Sequence, residues 1–449
     1  MAHIRYLDKR IYIFFNMKGV KIHITELGPI KDADIALAPL MLFTGESGLG
    51  KSYVNFLSYY VFDFFGNNGL KRFLSRKIEG KVWKENQLTF SFTISELRTW
   101  MAFDAKSFLG KLLAHPSINC AVDFHFREDI DDTINVVVRI PEAQKNEINS
   151  ILTIQTIQIE INGIAGQTSR FLDKNDDEKV DVISRFVSQY LSRLILGNGF
   201  AFAFLMPPGR TSLIGNSFSV QKMVSNTGMY DKFLNDYDLL KLLPNRLDEG
   251  EQNNQFFLSQ IKRLIHGTIS TENSETLLVL PNGKKIPISA AASSVRELSP
   301  ILLWIQNLSH LGDICSICLE EPEAHAHPSM QYGIADLIAS CVKKGTFFQI
   351  TTHSDYFLSR INQLIKLYKL QQTMPEEFDK SRFVSNKRQT INPADVKAYF
   401  FDYSEESGHV IIKEQDLEEG VPFDSFRKVI ENQINFDSEL AALTGDDDR

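Results

Sequence analysis

Leu40-Met-Leu-Phe-Thr-Gly45-Glu-Ser-Gly-Leu-Gly-Lys51-Ser52 is the stretch on which the reading of this chain turns. From Gly45 it fits G-x-x-x-x-G-K-[ST] without a mismatch. Glycines let successive backbone N–H groups turn inward, where a β-carbon would obstruct them, and so build a cradle for phosphate oxygens. The apolar run Leu40–Thr44 predicts the strand that must precede such a loop, and Lys51–Phe65 carries the helical pattern that must follow it. Upstream, Lys21–Thr25 and Ile35–Leu37 read as two more strands around the turn at Gly28-Pro29. The loop residues Gly45, Glu46, Ser47, Gly48, Leu49, Gly50, Lys51 and Ser52 are therefore candidates for binding a nucleoside triphosphate. Lys51 would reach its β- and γ-phosphates, and the Ser52 hydroxyl would ligate Mg²⁺. The positive end of the helix would face the same phosphates.

A second motif lies far along the chain. The run Ile314-Cys-Ser-Ile-Cys-Leu319 reads as a buried strand that ends in Glu320-Glu321-Pro322-Glu323. Adjacent carboxylates at a strand end suit a magnesium site beside an attacking water. Glu320 is placed on the metal side, and Glu321 orients or deprotonates the water. A solvated acidic turn is the plain alternative, which the pairing with the glycine loop disfavours. Cys315 and Cys318 make a C-x-x-C, but strand alternation and the lack of a second pair favour buried apolar thiols over zinc. Thr351-Thr352-His353-Ser354 closes the next predicted strand, Thr346–Thr351, and makes His353 a candidate γ-phosphate contact.

With 449 residues, 43% of them hydrophobic, the chain predicts two or three nested units. The net charge of −8 argues against a protein that coats nucleic acid over its whole surface. Four cysteines exclude a disulfide scaffold, Met1–Asp8 lacks the apolar core of a signal peptide, and Tyr53–Phe65 is too short to span a bilayer. A cytoplasmic protein without a membrane partner is expected. The fold expected is α/β, a mixed sheet with flanking helices and an inserted α+β region. Residues 1–66 and 284–415 would form the two lobes of one ATPase head, 67–283 the insertion, and 416–449 a C-terminal helix and tail. Within the insertion the pattern predicts helices over Ser95–Leu113, Glu178–Leu196, Met229–Leu243 and Gln255–His266. It predicts strands over Cys120–Phe126, Ile134–Ile140 and Ile151–Ile161.

These pieces together resemble the OLD-type and RecF-like branch of ABC ATPases, common in bacterial phage-defence systems. The resemblance covers two blocks, Lys21–Phe65 with GPIKDADIALAPLMLFTGESGLGKS, and Ile286–Ile361 with LEEPEAHAHPSMQ and ITTHSDYFL; FLMPPGRTSL at Phe204–Leu213 also looks like the family's proline-arginine stretch. It implies that Glu321 is the catalytic glutamate, His353 the switch histidine and Ala324–Pro328 the loop where two heads meet. It places the signature at Ala292–Leu298, with Ser293 and Ser294 on the partner's γ-phosphate. Ser294 stands where relatives carry glycine, which implies an altered closed dimer and slow hydrolysis. Ala326 likewise replaces a usual leucine.

The resemblance further implies ATP and Mg²⁺ as ligands and a homodimer or higher oligomer through the heads. It leads to an ATPase that acts as sensor and scaffold in an antiphage complex. Glu414–Arg449 is too short for the TOPRIM nuclease that such heads often carry, and Asp446–Asp448 is no credible metal centre. A separate nuclease-like effector chain is therefore expected. The second reading is a DNA-repair or chromosome-maintenance ATPase; the third is a nucleotide-gated scaffold without turnover. For DNA, the relevant signal is Lys71, Arg72, Arg76, Lys77, Lys81 and Lys84, either a phosphate contact or an ordinary solvated helix face.

Overall fold

A computed structural model describes residues 5–6, 19–67, 69–127, 130, 132–141, 154–171, 176–197, 200–214, 228–243, 252–308, 314–418, 420–422 and 424–444. The tail triplet Asp446–Asp448 lies outside them. In chain order the first half runs β1 (Arg5–Tyr6), β2 (Lys21–Leu27), β3 (Ile30–Ala36), β4 (Leu40–Gly45), α1 (Lys51–Gly66), α2 (Gly69–Ile78), β5 (Gln87–Thr93), α3 (Ile94–Leu112), β6 (Cys120–His125), β7 (Thr133–Arg139), β8 (Ile154–Ile161), β9 (Ile164–Phe171) and α4 (Asp176–Leu196). The second half runs β10 (Phe200–Met206), α5 (Gly228–Leu242), α6 (Gln252–Ile265), β11 (Thr268–Glu272), β12 (Glu275–Val279), β13 (Lys285–Pro287), α7 (Ser293–Leu308), β14 (Ile314–Glu320), α8 (Pro328–Val342), β15 (Phe347–Thr351), α9 (Asp355–Thr373), α10 (Pro375–Lys380), β16 (Val396–Ser404), β17 (His409–Glu414) and α11 (Asp424–Thr444).

Nine strands form one large mixed sheet in the order β10-β14-β15-β4-β16-β17-β3-β2-β6. From β10 to β16 every pairing is parallel. Beyond β16 the pairings with β17, β2 and β6 are antiparallel, apart from one parallel contact of β17 with β3. β4 is central and wholly buried, as a parallel strand covered on both faces should be. Its side chains divide with period two: Met41 and Phe43 enter one apolar cluster, Leu40 and Leu42 the other. The fold is thus α/β, a mixed sheet with flanking helices, as the sequence predicts.

α1 runs under the sheet. From Val54 to Phe65 each of its residues is buried, which requires protein on every side of the helix. β10, β14 and β15 cover one side, and α2, α3 and α4 the other. α3 starts with a reciprocal capping box between Thr93 and Glu96.

The segment 67–283 gives β6 and β10 to the two edges of the large sheet. It also holds the five-stranded antiparallel sheet β1-β9-β8-β7-β5, which takes β1 from the N-terminal stretch, and most of the small meander β11-β12-β13. The sequence reading missed β5, although Leu88, Phe90 and Phe92 alternate there with polar residues. It also missed β10, whose alternation is Ala203 and Leu205 against Phe204 and Met206. β3 begins at Ile30, five residues before the expected start, because Ile30 and Ala33 also face the core.

Cys315 and Cys318 enter opposite clusters, since residues three apart on a strand point to opposite faces. Burial pushes the Cys318 thiol well above its ordinary range and that of Cys341 up to about 12. No helix among the described residues is long and apolar enough to cross a membrane.

Candidate functional site

The parallel order puts the C-terminal ends of β14, β15 and β4 side by side, with Glu320 opposite Thr351 and Thr351 opposite Phe43. Two residues beyond Phe43 the chain turns at Gly45, whose φ of +129° belongs to glycine and where a Cβ would lie 2.4 Å from the Phe401 carbonyl oxygen. Gly48 (φ +83°) and Gly50 (φ +86°) complete the loop, and a Cβ on Gly48 would meet open space. The loop is shaped by backbone conformation and left clear for an incoming group.

Lys51 is buried, yet its ammonium lies across the loop, donating to the Gly45 carbonyl at 2.9 Å and the Glu46 carbonyl at 2.7 Å. An ammonium has three donors, so one remains for an anion. Burial lowers its pKa, while Glu320, Glu321 and Glu46 push it back up.

Glu320 is 2% exposed, and burial raises its carboxyl above the usual carboxylate range. Two side chains from one face of α1 grip it. The Ser52 hydroxyl donates to Oε2 at 2.5 Å, and the Asn55 amide donates to Oε1 at 2.5 Å. The loop serine and the strand-end glutamate, 268 residues apart, are thus in direct contact.

Glu321 has a φ of +47°. Successive strand residues face opposite sides, so adjacent carboxylates serve one site only if the strand breaks between them. It does so here. The Glu321 N–H is held by the Thr351 carbonyl at 3.1 Å, and both carboxylates act on Lys51.

His353 is exposed at the same edge. Partial burial and the Lys51 cation lower its pKa below 6.5, so the ring is neutral at neutral pH, while Glu321 pulls the other way. Its backbone N–H donates to Glu323 Oε1 at 2.6 Å, and the Thr352 hydroxyl donates to the same oxygen at 2.9 Å. Glu323 thereby joins the turn after β14 to the turn after β15. His327 caps α8, accepting from the Ser329 N–H at 3.3 Å. Ser293 and Ser294 form the first turn of α7.

The oxygen set of Ser52 and Glu320 suits a hard divalent cation, and an open glycine loop with a spare lysine donor suits a phosphate chain. Mg²⁺ with ATP fits these residues. The basic helix α2 fits a phosphate backbone less well. Lys71, Arg72 and Lys77 pair with Asp181, Asp104 and Glu96, and Arg76 lies 4.5 Å above the Trp100 ring.

The sequence reading missed Asn55, although its place three residues after Ser52 puts both on one helix face. It also left Arg210 outside the candidate site. The structure finds Arg210 and Glu297 fully buried and 3.2 Å apart, with Arg210 Nη1 donating to the Glu320 carbonyl at 2.9 Å.

Comparison with known proteins adds a partial match. A family described as "AAA ATPase domain" matches residues 214–358, a span that takes in α7, the acidic strand end and His353 but not the glycine loop. No curated protein matches. Among solved structures, the SMC head domain from Thermotoga maritima is 10% identical, with a TM-score of 0.33 over 88% of this chain and 98% of that one. An SmcHead bound to the C-winged helix domain of ScpA is 11% identical, with a TM-score of 0.35 over 89% and 98%. An Smc head with an extended coiled coil, bound to the C-terminal domain of ScpA derived from Pyrococcus furiosus, is 11% identical, with a TM-score of 0.33 over 96% and 99%. At these scores the likeness carries no argument, and the functional reading rests on this chain's own site.

Proposed function

We propose that this chain is an ABC-type ATPase head that binds Mg²⁺ and ATP and hydrolyses the γ-phosphate. The observation that carries the reading is the Ser52–Glu320–Asn55 joint, which unites the glycine loop and the acidic strand end around one charged point. Ser52 and Glu320 would hold Mg²⁺, which would supply charge neutralisation for the phosphates. The loop N–H groups and Lys51 hold the phosphate chain, Glu321 takes a proton from the attacking water, and neutral His353 contacts the terminal phosphate. Ser293 and Ser294 act in trans, on nucleotide held by a second copy. Each closed dimer then contains two such sites.

Glu321→Gln tests this directly. Turnover should fall by about 10²- to 10⁴-fold, the usual worth of a general base. ATP binding should survive, and ATP should trap a larger assembly in gel filtration. Unchanged turnover would remove Glu321 from the role.

The role in the cell follows the resemblance of LEEPEAHAHP to OLD-type heads: an ATP-dependent sensor and scaffold in antiphage defence that restrains a separate nuclease-like effector. The paired cations of α2 disfavour the alternative, a DNA-repair or chromosome-maintenance ATPase. Duplex DNA ends that stimulate hydrolysis would reverse that preference.

A further inference from the structure

Arg210 is among the largest side chains with no solvent exposure, and its partner Glu297 is equally sealed. The guanidinium ties its own turn to two distant stretches. Nη1 donates to the Pro207 carbonyl and to the Glu320 carbonyl, both at 2.9 Å. Nε donates to the Glu297 carbonyl on α7 at 3.0 Å, and Nη2 lies 3.2 Å from Glu297 Oε1. The other Glu297 oxygen accepts from the Thr211 N–H at 3.0 Å and from the Thr211 hydroxyl. A buried ion pair adds little net stability over an apolar pair of the same size. What this one achieves is geometric.

The Glu320 carbonyl and the Glu321 N–H belong to one peptide unit. Arg210 holds the first, and the Thr351 carbonyl holds the second. With that plane pinned at both ends, the left-handed φ of Glu321 decides where its carboxylate points. Arg210 and Glu297 also fasten the plane to α7, one turn after Ser293 and Ser294. We propose that Arg210 is a positioning residue that aims Glu321 and, through Glu297, makes that aim depend on the seating of α7. The serines offered to a partner's nucleotide and the base acting on this chain's own nucleotide then move as one body. The proposal rests on the ATPase reading above.

The test combines Arg210→Met with Glu297→Met, which removes both charges and keeps the volume. The expected result is a chain that still folds, with a melting temperature lowered by the backbone groups left without partners. The KM for ATP and the Kd for a fluorescent ATP analogue stay within about threefold of wild type, and kcat falls by about a hundredfold, the scale of a 1 Å misplacement. A purely structural plug would move KM and Kd together with kcat. A double variant that folds and turns over within a factor of two of wild type overturns the proposal. If the double variant does not fold, Glu297→Gln decides by the same split of kcat from KM. That variant keeps the backbone bond to Nε but loses the charge and one of the two acceptor oxygens that serve Arg210 and Thr211. Glu321→Gln runs alongside. A wild-type chain that is inert, or a Glu321→Gln variant as active as wild type, brings down the ATPase reading and this inference with it. A dead Glu321→Gln beside an unaffected double variant brings down the inference alone.

Discussion

Replacing Asn55 by leucine probes the grip on Glu320 without touching any group expected to meet nucleotide. Asn55 is fully buried, and its amide donates to one Glu320 oxygen while Ser52 donates to the other. A hydrogen bond to a charged group is worth about 1.5–3 kcal/mol. At tenfold per about 1.4 kcal/mol, losing it should weaken Mg²⁺ about 10- to 150-fold. Mutations of residues that orient metal ligands usually cost about 10- to 100-fold. The sign with pH follows from the same bond. Burial already raises the Glu320 carboxyl, and the two donors hold it down by favouring the charged form. Without Asn55 it rises further, so Mg²⁺ competes with a proton, and the defect should shrink as pH increases. Stability should change little, because among the described residues Asn55 Oδ1 has no hydrogen-bond partner and leucine removes that burden. The assay is an Mg²⁺ titration of ATP hydrolysis and of ATP-analogue binding from mildly acid to mildly alkaline pH, with a melting curve beside it. A half-saturating Mg²⁺ concentration within twofold of wild type at every pH would refute the reasoning.

Two loop glycines should separate clash from strain. Gly45→Ala meets the Phe401 carbonyl, a backbone atom that cannot step aside, and should abolish soluble folded protein or nucleotide binding. Gly48→Ala meets open space and carries only the left-handed penalty, about 1–2 kcal/mol, so it should fold and bind ATP more weakly. Equal effects in a melting curve would contradict this ranking. For His353, burial and Lys51 both disfavour the cation, so the neutral ring persists below 6.5. The histidine's step in the acid limb of the kcat profile should therefore lie below 6.5 and be absent in His353→Ala, and a step above 6.5 that His353→Ala removes would count against this reading.

What the sequence made legible is local chemistry. The run Leu40–Thr44 and the spelling of Gly45–Ser52 reveal a strand, a turn and a helix because each needs only neighbours in the chain. The same is true of Ile314–Glu321 and of Thr351–His353. The alternation that separates Cys315 from Cys318 could also be read, since a strand's two faces are fixed by counting. β10 was hidden for the opposite reason. Phe200–Met206 is a short apolar run that becomes part of the large sheet only by pairing with β14, 114 residues away at Phe200 and Ile314. Asn55 was hidden inside an aromatic helix where one amide looks like an interruption.

Arg210 shows most clearly why the boundary falls there. An arginine after Pro-Pro-Gly has the spelling of a surface turn, and nothing within ten residues offers it a countercharge. A charge of that kind is buried only if its partner arrives from elsewhere, and Glu297 arrives from α7, 87 residues on. The residues that would meet ATP are therefore spelled in contiguous motifs, because phosphate and metal chemistry sets their spacing. The residues that aim them are not, because any element able to deliver a donor to the Glu320 carbonyl would serve. If the pair aims Glu321 as argued, an arginine delivered from another direction should restore turnover to an Arg210→Met variant. If the pair only fills space, leucine at both Arg210 and Glu297 should turn over as well as the natural pair.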